Sequence, residues 1–271
     1  MSDVTTPASP ALSTDETDPV RYEFADGAAR ITLVDADRGN PINTPQVEQL
    51  FVAVRRAVQD RARVIVLAAE GRFFSVGGDL AAMAGSEDTA GFIDDLADAL
   101  HRVVAELLAA DAIVVSAVQG TAAGAGFPLA CAADVVLAAD SAKFSLAYTK
   151  VGLSPDGGSS MLVHSLGLHR ALRLALLGDL LTASEAYDAG LVARVVPAEE
   201  LADAVDAVVA QLVAGSSAAQ AATKRLLRAE AATAPETALR RELVSIRALA
   251  GGAHGREGIG AFLEKRTPVF D

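Results

Sequence analysis

The chain has 271 residues, about half of them apolar, with no tryptophan and a formal net charge of −12. It is long enough to bury a sizeable core, as one large domain or a domain with an appendage. The acidic balance, with an isoelectric point near 4.8, argues against nucleic acid as a partner, and an anionic ligand needs local Lys or Arg against it. The one cysteine, Cys131, excludes a disulfide framework and reads as a small core residue in an apolar helix.

Residues 1–19 are polar, Pro-containing and acidic, without a basic n-region or an apolar h-region. They read as a disordered tail rather than a signal peptide. No uninterrupted apolar run is long enough to span a bilayer, so a cytoplasmic location and no membrane partner are expected. Residues 20–35 alternate around Asp26-Gly27 as a hairpin. Thr44-Pro45 supplies an N-cap and a first-turn proline for a helix whose apolar face carries Val47, Leu50, Phe51, Val54 and Val58.

Arg63–Ala68 reads as a buried strand, followed by a turn with Gly77-Gly78. From Ser86 to Ala110 apolar residues at 3–4 spacing predict a long amphipathic helix. Ile113–Val118 is strand-like, then Gly120, Gly124 and Gly126 turn the chain into a short apolar helix at Phe127–Ala133. Strands near 134–139 and 143–147 precede KVGLSPDGGSS, which leads into a helix over 159–177. Thr182 and Glu185 form a capping-box pattern for a helix closed by Gly190, and Val192–Val196 is the last strand-like run. Beyond Pro197 the pattern is helical throughout, over 198–214, 217–231, 236–250 and 256–266. The switch sets a boundary near residue 200, between a core of residues 20–200 and a helical region of residues 201–271. Periodicity alone gives an α/β core with a helical C-terminal part.

Two glycine-bearing turns, each after a strand, can aim two backbone N–H groups at one oxygen, an oxyanion hole built from main chain. Other glycine signals fail. Leu129 occupies the third glycine's place of a G-x-G-x-x-G, no G-K-[ST] is present, and Met161 breaks a nucleophile elbow at 157–161. His101, His164, His169 and His254 are scattered and read as surface or satisfied interior residues, so no metal site is expected.

FFSVGGDL (73–80) and QGTAAGAGFPLACAADVVLA (119–138) resemble the two signature stretches of the crotonase (enoyl-CoA hydratase/isomerase) superfamily, and the resemblance runs over about residues 20–271. It implies a spiral of β-β-α turns with a C-terminal helical trimerisation region, assembled as a homotrimer or a hexamer of paired trimers. It also implies an acyl-CoA thioester as substrate, so that coenzyme A is part of the substrate and no separate cofactor is needed. By the same match the oxyanion donors are the N–H groups of Gly78 and Ala125, the latter standing where glycine is usual.

The two glutamates of the family's hydratases would fall at 128 and 148, where this chain has Pro128 and Tyr148. Pro128 suits a first helical turn, and Tyr148 is left to line the acyl pocket. Asp156, in PDGG, stands where isomerase branches carry their single catalytic carboxylate, and the match is nearest the epoxyphenylacetyl-CoA isomerase and Δ3,Δ2-enoyl-CoA isomerase branch. Without the resemblance, Asp156 reads as the N-cap of the following helix. AFLEKRTPVF (261–270) resembles the family's ending, which implies that Phe262 and Lys265 reach a neighbouring subunit's coenzyme, while Ile42 and Val76 lie against its adenine. The reaction this favours is a double-bond shift of an enoyl-CoA. Hydration of a 2-enoyl-CoA, a CoA-thioester-binding protein without turnover and, more weakly, thioester hydrolysis are the alternatives.

Overall fold

The alternating segments about Asp26-Gly27 pair as the hairpin pattern predicts: β1 (Val20–Ala25) runs antiparallel to β2 (Ala28–Leu33), with Val20 opposite Leu33. Asp26 and Gly27 both take positive φ, as a two-residue hairpin turn requires. The computed structural model describes residues 18–231 and 235–270. The tail reading of residues 1–19 therefore lies outside the described residues, apart from Asp18 and Pro19.

Helix α1 (Thr44–Gln59) follows, with Pro45 in its first turn. Its cap is Asn43 rather than Thr44: the Asn43 side chain accepts from the Gln46 N–H at 3.0 Å, and Thr44 is already helical. Three long strands then each lead within a few residues into a three-residue strand of a second sheet. These pairs are β3 (Val64–Ala69) with β4 (Phe73–Ser75), β5 (Ile113–Val118) with β6 (Thr121–Ala123), and β7 (Val135–Ala139) with β8 (Lys143–Ser145). Between them stand α2 (Leu80–Gly85), α3 (Thr89–Ala109) and α4 (Gly126–Cys131). This is the expected spiral of strand–strand–helix turns.

The remaining elements of the core are α5 (Val163–Leu166), α6 (Leu168–Leu177), β9 (Leu180–Thr182), α7 (Ala183–Asp188) and β10 (Arg194–Val196). The large sheet has the order β1-β2-β3-β5-β7-β10 and is parallel from β2 onward; the small sheet has the order β4-β6-β8-β9. Parallel strands covered on both faces must be apolar along their length, and Val64, Ile65 and Val66 are all fully buried.

Two helical predictions change. The helix expected from Ser86 begins at Thr89, where Asp88 caps it by accepting from Gly91 N–H, and α2 stands before it as a separate element. The run over 159–177 breaks into a 3-10 turn (Ser159–Leu162), α5 and α6, because Gly167 at φ 74° and ψ 154° is not helical. The capping box at α7 forms in both directions.

The C-terminal helices are α8 (Leu201–Ala214), α9 (Ser217–Ala231), α10 (Pro235–Ala250) and α11 (Ala253–Leu263). Helix α8 packs on β3, β5 and β7, and α10 packs along α3. Lys224 of α9 is buried, its Nζ 2.9 Å from both Asp134 and the Ala112 carbonyl, so the charge taken from water is paired and hydrogen-bonded. Helix α11 folds back onto α2 and the 3-10 turn Ala147–Val151, which puts it beside the site described next. No single helix among the described residues is long and apolar enough to cross a membrane.

Candidate active site

Segment 41–43 bridges Gly78 in parallel: Ile42 N–H donates to the Gly77 carbonyl at 2.8 Å and Asp79 N–H to the Ile42 carbonyl at 3.0 Å. Such a bridge uses the peptide groups on either side of Gly78 and turns its own N–H to the opposite side. Buried Ser75 braces the turn, accepting from Gly77 N–H at 3.1 Å and donating to the Asn40 carbonyl at 2.8 Å. The second turn is fixed by Gly124 N–H, which donates to the Ser145 carbonyl at 3.0 Å; Ala125 follows as the residue before α4. Among the described residues the N–H groups of Gly78 and Ala125 meet no protein acceptor. Both residues line one cavity of about 140 Å³.

Asp156 lines the same cavity and is the only acidic residue among the described residues that does so. Its side chain does not cap a helix. Oδ1 instead lies 2.8 Å from Nε2 of His101, on α3, and both residues are buried. The acceptor that the following 3-10 turn needs comes from α10: Glu242 takes the Gly158 N–H on Oε2 and the Ser160 N–H on Oε1, both at 2.7 Å. Burial pushes the Glu242 carboxyl above the ordinary carboxylate range, against those hydrogen bonds and with some help from the Asp156 charge. The Asp156 backbone carbonyl accepts from Tyr148 Oη at 3.0 Å and from Ser159 Oγ at 2.7 Å. Burial, with the charges of Asp156 and Glu242, drives the Tyr148 phenol well above its ordinary value, so it acts as a neutral donor.

The fold thus gathers Ile42, Val76, Gly78, Ala125, Tyr148, Asp156 and Phe262 around one cavity. Lys265 stays outside it, exposed just past α11 with φ of 54°. Phe262, 60 % exposed, lines the cavity of its own chain, whereas the resemblance sends it to a neighbouring subunit. A larger neighbouring space of about 370 Å³ takes in Pro128, Gly158 and Cys131 but neither Gly78 nor Asp156. Cys131, expected as a core residue, is only partly buried: it packs against the core and lines that space, and burial raises its thiol.

Residues 23–271 match the family model described as enoyl-CoA hydratase/isomerase. The chain belongs to that family. A Rhodobacter capsulatus relative named "Probable enoyl-CoA hydratase" is 38 % identical over 252 residues, 93 % of this chain and 97 % of the relative. The 1,2-epoxyphenylacetyl-CoA isomerase of Escherichia coli is 35 % identical over 250 residues, covering 90 % of this chain and 95 % of the relative. The crystal structure of an enoyl-CoA hydratase from Mycobacterium avium subsp. paratuberculosis K-10 superposes with a TM-score of 0.85 at 36 % identity, over 93 % of this chain and 98 % of that one.

In this hydratase/isomerase family member, sequence reasoning missed His101 and Glu242. Ligand atoms of His101, Asp156 and Glu242 all lie within 4.8 Å of one another; His101 is a satisfied interior histidine, as its sequence reading allowed, and Asp156 is its partner. The three could in principle face a cation, but His101 Nε2 is bonded to Asp156 and both Glu242 oxygens to backbone N–H groups, which closes the cluster on itself. The available signal was polar residues on apolar helix faces. His101 shares a face with Ala97 and Val104, and Glu242 one with Leu239 and Ile246, all buried.

Proposed function

We propose that this protein shifts the double bond of an enoyl-CoA, with Asp156 as the single acid/base and the Gly78 and Ala125 N–H groups holding the thioester enolate oxygen. The observation that carries this reading is a lone carboxylate sharing a small, largely apolar cavity with two residues, Gly78 and Ala125, whose main-chain N–H groups meet no protein acceptor among the described residues. In a 3-enoyl thioester the Asp156 carboxylate takes a proton from C2, and the electrons move onto the thioester oxygen. The protonated Asp156 then returns the proton at C4, giving the 2-enoyl thioester with no net gain or loss of atoms. Charge develops on the oxygen only in the enolate, so donors aimed there lower the barrier rather than merely bind substrate, each contributing about 3–4 kcal/mol.

Hydration is the second reading, favoured by the hydratase names among the relatives. Against it, the two positions expected to carry a hydratase's glutamates hold Pro128, which belongs to the other cavity, and Tyr148, whose hydroxyl is engaged by the Asp156 carbonyl. Ile42, Val76 and Phe262 at the cavity belong, on this reading, to the binding of the coenzyme part of the substrate. Homotrimeric or hexameric assembly is part of the same proposal, testable by sedimentation. Incubation with 3-enoyl-CoA and, separately, with 2-enoyl-CoA decides between the reactions. Interconversion of the two isomers supports the shift; a 3-hydroxyacyl-CoA from the 2-enoyl substrate, with no isomer formed, overturns it.

A further inference from the structure

The backbone of Asp156 is held from three sides: Tyr148 and Ser159 donate to its carbonyl, and Glu242 ties down the N–H groups of Gly158 and Ser160 just beyond it. None of these contacts touches the carboxylate. Gly157 and Gly158 both take positive φ, so the loop follows a path that fixes where the Asp156 side chain starts but not where it points. The side chain's direction is set by one contact, the 2.8 Å approach of Oδ1 to His101 Nε2. Oδ2 has no donor among the described residues, and Asp156 lines the cavity.

We propose that His101 is the positioning residue of the proposed acid/base: its imidazole fixes one oxygen of Asp156 so that the other is presented to the substrate. This rests on the reading of Asp156 given above. His101 suits the task because α3 is rigidly packed there, with Leu100, Val103 and Val104 buried around it and α10 lying along the helix. The titratable groups facing the imidazole are Asp156 from the loop and Glu242 from α10, and Glu242 is itself occupied by backbone donors. A carboxylate that must both accept a proton and return it one allylic unit away has to keep one orientation throughout. A single strong side-chain bond on the oxygen not used for transfer supplies that constraint.

The test compares His101→Phe, His101→Leu and His101→Gln with wild type and Asp156→Asn, using 3-enoyl-CoA in D2O. Phe and Leu differ in volume, so at least one is expected to fold, as judged by circular dichroism melting. Loss of a hydrogen bond to a charged group should lower kcat about 10- to 100-fold, with KM nearly unchanged because the contact does not touch the substrate. His101→Gln, whose amide can still donate, should recover most of the loss. Deuterium incorporation at C4 should rise in the apolar variants, since a wandering carboxylate exchanges its proton with solvent before returning it. A folded apolar variant with wild-type kcat and wild-type deuterium content, beside an inactive Asp156→Asn, would overturn the role of His101 alone. An active Asp156→Asn would instead remove the acid/base reading on which it rests.

Discussion

Gly77 stands against Gly124 more closely than any side chain would allow. A Cβ on Gly77 would lie 2.8 Å from the Ala123 carbonyl oxygen and 3.2 Å from the Gly124 Cα, and φ at Gly77 is +89°. The two turns that carry the proposed oxyanion donors therefore touch backbone to backbone. Their spacing is a property of the main chain, and a methyl group between them must push them apart. Gly77→Ala is expected to destabilise the fold by about 1–3 kcal/mol and to lower kcat more than it raises KM. Thermal melting beside steady-state kinetics checks both.

Proline is the substitution that removes the donor at Ala125. Its φ of −65° is the value at which proline is locked, and the preceding Gly124 has no Cβ to clash with a proline ring. Ala125→Pro should fold and should lose about 10²–10³-fold in kcat. Ala125→Gly, which keeps the N–H, should stay close to wild type. Equal rates in all three proteins would show that the N–H takes no part.

Glu242 couples the site to pH. Burial raises its carboxyl above the ordinary value, so the folded state holds this proton to higher pH than the unfolded chain does. Its contribution to stability is therefore complete below the unfolded value, near 4.5, and is lost as pH rises through the folded one. Glu242→Gln should flatten that pH dependence in urea unfolding. Against that gain, one of the two N–H groups, buried Gly158 or part-buried Ser160, loses its acceptor in the variant, at about 1–3 kcal/mol.

The chain's end is clasped by Glu257, which accepts from Arg266 Nη1 and Nη2 at 2.6 and 2.8 Å and from Val269 N–H at 2.9 Å. The Arg266 guanidinium is the main cause of a Glu257 carboxyl held down to about 2. A depressed carboxylate keeps its contribution above the ordinary value near 4.5 and loses it as pH falls toward 2. Glu257→Gln should expose the Val269 amide to hydrogen exchange at neutral pH. With Phe262 on the same C-terminal stretch lining the cavity, it should also raise KM more than it lowers kcat.

What could be read from the sequence was local. Glycine turns, the Thr182–Glu185 box and the apolar periods all act within a few residues, so the strand–turn–helix order was legible. Seven of the eight residues named from the resemblance line one cavity, Phe262 at its own chain's cavity rather than a neighbour's. What could not be read was contact at long separation. His101 meets Asp156 across 55 residues of chain, and Glu242 meets Ser160 across 82. A histidine or glutamate among core residues announces burial but not its partner. Short elements were hidden for a different reason. Helix α2 spans six residues and β9 three, too few for any period to show. Gly167 broke a helix that the surrounding apolar spacing continued across.

The central claim is that one carboxylate moves one proton. Turnover of a 3-enoyl-CoA by wild type and by Asp156→Asn, with the product identified, tests it most directly. The account predicts conversion to the 2-enoyl-CoA by wild type and a loss of about 10²–10⁴-fold in Asp156→Asn, with the fold intact. Equal rates in the two proteins would contradict it.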